Sequence, residues 1–206
     1  MNKPSRLAYV RLFFGWLTLF AIFTQFGISM SLGFSPVSFF SYFTNISNIL
    51  VSLILIISAY RLWLGREPSL QDDLIRGAGV VYITVVGLVY VVLLRGQDLG
   101  ALLPWVNTQT HIVMPLVVIA DWLWQPPKHK LELRHALPWL AFPLLYLVYS
   151  LVRGAMIGWY PYEFLNPSVV GGYGGVAVYC LGILVAFFII SWLWITLANW
   201  RRGNRT

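Results

Sequence analysis

Charge is scarce in this chain. Asp, Glu, Lys and Arg make up 10% of its 206 residues, against about 25% in ordinary soluble domains, too little to cover a water-facing surface. Cysteine occurs once, as Cys180, which excludes an intrachain disulfide and a cysteine metal cluster. Histidine occurs three times. His129 and His135 fall in the charged stretch from Pro126 to His135, and only His111 stands in an apolar run. A zinc site or a bis-histidine haem therefore lacks ligands at a common depth. No G-x-S-x-G elbow is present, and the run Gly171-Gly-Tyr-Gly-Gly175 lacks the Lys-Ser/Thr of a phosphate loop, so it reads as a flexible turn. Nothing in the sequence requires a metal or an organic cofactor.

What is abundant is apolar residues, at 59%. They gather into six runs of about 20 residues, the length that crosses ~30 Å of hydrocarbon: 8–30, 38–63, 74–94, 105–124, 138–158 and 173–199. Tyr60 and Trp63, Trp105, Trp122 and Trp124, Trp159 and Tyr160, and Trp200 mark several of their edges, as interfacial aromatics do. No small-residue cleavage site follows the first run, so Lys3, Arg6 and Arg11 precede a retained span. The expected fold is an all-α, polytopic bundle of six transmembrane helices, forming a single domain over 1–206.

Twelve of the fourteen Lys and Arg residues fall on one side of that arrangement; only Arg95 and Arg153 fall on the other. Positive-inside reasoning places both termini in the cytoplasm, as six spans also require. The +7 formal charge is thus a topology signal, and no nucleic-acid partner is expected.

This topology gathers the polar side chains near the outer face. Ser41, Thr44 and Asn48 have the spacing of one helical stripe on the second span, and Asn107 and His111 are one turn apart on the fourth. At ~1.5 Å per residue, Thr44, His111 and Arg153 lie roughly 8–10 Å below the outer edge, with Gln25, Asp98 and Glu163 at or above them. Pro115 lacks an N–H for the His111 carbonyl four residues back, which predicts a kink beside an intramembrane histidine. Ordinary readings stand beside the functional one. Thr44 can bond back to the Phe40 carbonyl, Asn45, Asn48 and Asn107 can tie helices together, and Arg153 can snorkel to outer headgroups. Asp121, ~15 Å from His111 along its helix, is expected to pair with an inner-side base. His129 and His135 are expected on a solvated surface.

The pattern Trp105-x-Asn107-x-x-x-His111-x-x-x-Pro115, followed by Asp121, resembles the histidine-bearing span of the androgen-induced/FAR-17a-like membrane proteins. Tyr42-Phe-Thr44-Asn45-x-x-Asn48 resembles the threonine-bearing span of that family. The resemblance implies a hydrolase of fatty acid esters of hydroxy fatty acids, with Thr44 as nucleophile and His111 as base. The short loops suggest a bacterial relative in the cytoplasmic membrane, with its site near the outer face. A base beside a threonine hydroxyl is what such a weak nucleophile needs, and a neutral imidazole can take and return the proton. Asn48 and Asn107 are candidates to orient the ring or steady an oxyanion, Asn45 lies beside them, and Arg153 is a candidate to hold a fatty acid carboxylate. The expected partners are membrane lipids or a fatty acyl ester substrate. The alternative is a small transporter or lipid-binding protein, in which His111 is a proton-sensitive switch and no reaction occurs.

Overall fold

The computed structural model describes residues 6–97 and 100–203; Lys3, Asp98 and Arg205 lie outside them. The described residues are helical and contain no strand. Helix α1 (Arg6–Ser31) shows how the bundle is oriented. Tyr9, Phe13, Trp16, Phe20 and Phe23 are each more than half exposed and recur at intervals of three and four, so they form one stripe. Arg11, Gly15, Thr18, Ile22 and Gln25 recur in the same way and are buried. A soluble monomer does not present such an aromatic stripe to water; a membrane helix presents it to lipid. Gly15 brings the next long helix close, since a Cβ there would sit 2.8 Å from Ile56 Cγ1 and 3.1 Å from the Ser52 carbonyl.

The predicted second span, 38–63, is broken. A short helix α2 (Pro36–Phe40) ends at Ser41, Tyr42 is extended, and α3 (Phe43–Trp63) starts afresh. Ser41 is therefore not on one continuous helix with Thr44 and Asn48, and it bonds instead to the Val37 carbonyl and the Tyr149 hydroxyl. The break matters because it puts Thr44 in the first turn of α3, where main-chain N–H groups have no partner within the helix. Asn45 spans the break by donating to the Phe39 carbonyl at 2.8 Å.

Helix α4 (Leu70–Val89) starts from a capping box between Ser69 and Asp72 and is the central post of the bundle. Val80, Val81 and Ile83 are fully enclosed there. It ends in a π turn, Tyr90–Leu94. The predicted fourth span is helical from Pro104 to Trp124 but composite: α5 (Pro104–Thr108), a second π turn (Gln109–Val113) and α6 (Met114–Trp124). After a short α7 (Ala136–Trp139), α8 (Ala141–Ile157) returns and α9 (Tyr173–Gly203) closes the fold. The glycine run before α9 is a tight turn, with Gly171 and Gly172 both at positive φ and the Gly172 N–H bonded to the Pro167 carbonyl.

Five segments are long and apolar enough to cross a membrane: Arg6–Ser31, Phe43–Trp63, Leu70–Leu94, Leu133–Ile157 and Tyr173–Gly203. The chain is a multi-pass membrane protein on these grounds. The 104–124 segment falls outside that group because Asn107 to His111 make its first half polar. Gln109, Thr110 and His111 are nonetheless buried, so most of that polarity is turned into the bundle, and the exposed Thr108 hydroxyl is spent on the Pro104 carbonyl.

The basic end is tied by ions. Asp121 receives Arg11 Nε at 2.6 Å and Arg76 Nη2 at 3.0 Å, pairing with bases as its position implied. Gln125 accepts from both arginines, through its side chain and its carbonyl. Arg76 also lies over the Trp122 ring. Asp73, for which the sequence suggests no role, is fully buried and accepts from the main-chain N–H groups of Lys128 and His129 and from His129 Nδ1. His129 is thus partly enclosed, not simply solvated, and it fastens the 126–135 stretch under the bundle. Replacing Asp121 by Ala strands two buried guanidinium groups, and breaking such a group costs about 3–5 kcal/mol. We expect D121A to unfold markedly earlier than wild type in a thermal scan in detergent, while D72A, which removes a more exposed pair, shifts the transition far less.

Candidate active site

Thr44 Oγ1 lies 3.2 Å from His111 Nε2, so the two residues named from the sequence are in hydrogen-bond contact. The tautomer follows from the other ring nitrogen. Nδ1 is 3.2 Å from the Asn107 carbonyl oxygen and 3.2 Å from Thr110 Oγ1. A carbonyl can only accept, and the Thr110 hydroxyl already donates to the Val106 carbonyl. The proton therefore sits on Nδ1, and the lone pair of Nε2 faces the Thr44 hydroxyl. Hydroxyl, imidazole and carbonyl form a directed relay, the arrangement general-base activation needs. No carboxylate stands third in line; a main-chain carbonyl does that job. Tyr90 stacks on the imidazole with ring centroids 4.5 Å apart and planes 22° from parallel, which fixes its tilt.

The ring reaches Thr44 because of how Pro115 is accommodated. The Met114 N–H bonds to the Gln109 carbonyl, five residues back. In that register the donor missing at Pro115 would have served the Thr110 carbonyl. Asn48 Nδ2 takes its place at 3.2 Å, while also donating to the Thr44 carbonyl at 2.9 Å. One amide thus joins the backbone of the threonine to the backbone beside the histidine. Gly87 makes room on the far side, where a Cβ would meet Pro115 at 3.3 Å.

Thr44 does not bond back to Phe40. Its N–H and its Oγ1 meet the Tyr162 hydroxyl at 3.2 and 3.3 Å. Sequence reasoning missed Tyr162, whose only signal was an aromatic in a short loop. The loop reaches the site because Gly158 ends α8 in the left-handed conformation at φ 69° and the Tyr160 ring then folds onto Gly154. Burial pushes the Tyr162 hydroxyl up to about 12, so it stays a phenol and keeps a proton to donate.

The supporting residues separate. Asn48 is fully buried and works through the backbone contacts above. Asn107 positions the ring through its carbonyl, and its side chain donates to the Tyr90 hydroxyl at 3.0 Å. Neither side chain lines the cleft over the pair, so neither is placed to meet a substrate oxygen. Asn45 does line that cleft while holding the α2–α3 break. Arg153 is not brought to the pair: it donates to Ser38 Oγ at 2.8 Å and lies 4.9 Å from the Trp159 ring centroid.

Thr44 stands between two cavities. A cleft of about 510 Å³ opens over Thr44, Thr110 and His111, with Gln25, Gln97 and Glu163 in its walls. A slot of about 120 Å³ runs from Thr44 between α4, α8 and α9, walled by aliphatic and aromatic side chains. No group of three or more His, Cys, Asp or Glu able to hold a metal occurs among the described residues. Comparison of the chain with family models, with curated proteins and with solved structures finds no significant match.

The two asparagines should part company on substitution. N48A leaves the Thr110 carbonyl buried without its donor, a loss of about 1–3 kcal/mol, and releases His111 from Thr44. N107A keeps the carbonyl and with it the Nδ1–H tautomer. Imidazole ¹⁵N shifts of His111 read this directly: the Nδ1–H tautomer persists in both variants, and the Nε2 shift moves toward that of an unbonded nitrogen in N48A only.

Proposed function

We propose that this chain is a six-span membrane hydrolase of fatty acyl esters, with 104–124 as the sixth crossing segment, both termini cytoplasmic and the cleft toward the outer side of a bacterial cytoplasmic membrane. The observation that carries the reading is the relay from Thr44 through His111 to the Asn107 carbonyl, set at the meeting of a polar cleft and an apolar slot. The two short motifs that resemble the androgen-induced/FAR-17a-like proteins fall on these same residues, which supports it further. The basic end, with Arg11, Arg61, Arg66 and Arg76 around one small cavity and Arg201 on the Leu123 carbonyl, supports the orientation.

In this reading His111 Nε2 takes the Thr44 proton as Oγ1 bonds to the acyl carbon. The carbonyl electrons collect on an oxyanion beside the first turn of α3. Donors for it are the Thr44 N–H, which would turn to it from the Tyr162 oxygen, and the Tyr162 phenol; the positive end of a 21-residue helix adds to both. The ester C–O bond breaks, and His111 returns the proton to the departing alcohol. A water then repeats the sequence against the acyl-threonine: His111 takes its proton, the fatty acid leaves, and Thr44 Oγ1 regains its hydrogen. A transport path would need polar groups continuing to the inner face. Below the pair Val80, Val81, Ile83 and Met114 are fully packed, and Thr84 is occupied by the Val80 carbonyl and the Trp194 indole.

A fluorophosphonate probe tests the nucleophile. Folded wild-type protein in detergent should become labelled at Thr44, and T44A and H111A should not. Absence of labelling in folded wild type would favour transport or lipid binding instead. Y162F removes one oxyanion donor and should lower kcat by about 10²–10³-fold with KM little changed.

A further inference from the structure

The cavity walls carry more information than the nucleophile alone. The slot and the cleft share Thr44, Leu94 and Tyr162 and otherwise differ. Tyr82 and Leu94, twelve residues apart on the α4 segment, both line the slot, giving it a length of roughly 18 Å at ~1.5 Å per residue. Its wall on α8 includes Leu144, which is 48% exposed, so the slot is open sideways to lipid. That lining suits the methylenes of an acyl chain that lies partly in the slot and partly in lipid, and it offers few partners to a polar half-molecule. His111, which must hand a proton to the departing oxygen, lines the cleft and not the slot. The alcohol half of the ester therefore occupies the cleft.

The charge of that cleft then bears on the alcohol. Among the described residues its walls include no Lys and no Arg, and its one charged side chain is Glu163. Asn45 and Gln97 leave neutral polar atoms in its wall, while the Gln25 amide is held by Ser29, Ala101 and Leu103. Arg153, the residue the sequence offered to receive a carboxylate, is turned onto Ser38 and Trp159, with Nη1 enclosed and unpartnered away from the cleft wall, and Arg95 is not in that wall either. A free carboxylate in the cleft would meet Glu163 with no base among the described residues of the wall to oppose it.

We propose that the leaving group of this protein is an uncharged polyol, so that its substrates are acyl esters of the monoacylglycerol kind, with the acyl chain drawn from the bilayer through the slot beside Leu144. This rests on the hydrolase reading. It departs from the substrates which the family resemblance implies, whose leaving alcohol carries a carboxylate. The bond changes are those given above: the acyl carbon passes from the glycerol oxygen to Thr44 Oγ1, and the glycerol oxygen receives the proton from His111.

The test uses the full chain in vesicles of ether-linked phosphatidylcholine, which it cannot hydrolyse. Three probes share one acyl chain: 1-oleoylglycerol, the oleoyl ester of 9-hydroxystearic acid, and the methyl ester of that acid. We expect kcat/KM for the glycerol ester to exceed that for the acid-bearing ester by about tenfold or more, a like-charge penalty across a wet cleft. Methylation should recover part of the difference, and E163Q should narrow the ratio severalfold. Equal or faster turnover of the acid-bearing ester overturns the proposal, as does a preference for it that disappears in R153Q. Labelling of Thr44 by the fluorophosphonate with no turnover of the glycerol ester also overturns it while leaving the nucleophile in place. Absence of both labelling and turnover is the failure of the hydrolase reading itself.

Discussion

Pro115 has no N–H to give, and in the apolar interior of a membrane protein no water stands ready to replace it. An unpaired main-chain carbonyl there costs several kcal/mol, so the surrounding chain is arranged around the gap. The helix slips into a π register over Gln109–Val113, and Asn48 reaches across from α3 to the Thr110 carbonyl. Gly87 lets α4 close on the ring of the proline. Each adjustment also positions the site. The π turn aims His111 at α3, and the asparagine that repairs the backbone binds the Thr44 carbonyl as well. Insertions of this kind inside helices are often found at functional sites, and here the link is mechanical: the repair of the backbone and the placement of the base are one network.

A second irregularity complements the first. Had 38–63 been one helix, the Thr44 N–H would have been consumed by the carbonyl four residues back. The break at Ser41 and Tyr42 leaves it at a helix start, with the Tyr162 hydroxyl as its partner. The same break admits the 158–165 loop, which carries Tyr162 to the pair and separates the cleft from the slot. Both irregularities sit toward the end of the bundle where charge is sparse. The other end is held by the Arg11–Asp121–Arg76 cluster, which ties α1, α4 and α6 together.

Five of the spans were legible because lipid imposes a length and a composition on anything crossing it. The last helix illustrates this, since it starts at Tyr173, where the apolar run does. Thr44 and His111 were legible for a related reason, since polar groups at one depth in an apolar chain must turn inward and find each other. The break at Tyr42 was not legible. Its neighbours Phe39, Phe40 and Phe43 read as uninterrupted apolar helix, and the extended residue is selected by tertiary contacts with Tyr149 and Tyr162. Tyr162 was hidden too, because a loop tyrosine beside Trp159 has the signature of an interfacial aromatic. That Asn107 meets the ring through its main-chain carbonyl was not legible, because a main-chain carbonyl leaves no mark in a sequence.

The distribution of charge explains why Arg153 is not part of the site. A guanidinium at the depth of Thr44 needs partners or water, and Arg153 obtains both a hydroxyl and an aromatic face from Ser38 and Trp159. Moving it to the cleft would forfeit those contacts and set it beside a ring that must become cationic during the reaction. A cation there would oppose protonation of the ring in the very step where the ring must hold a proton. A cleft without bases thus serves the chemistry at His111 as well as the choice of alcohol, and the two requirements reinforce one another: the fold that keeps the imidazole usable as a base is also one that offers no anchor to an acid-bearing leaving group.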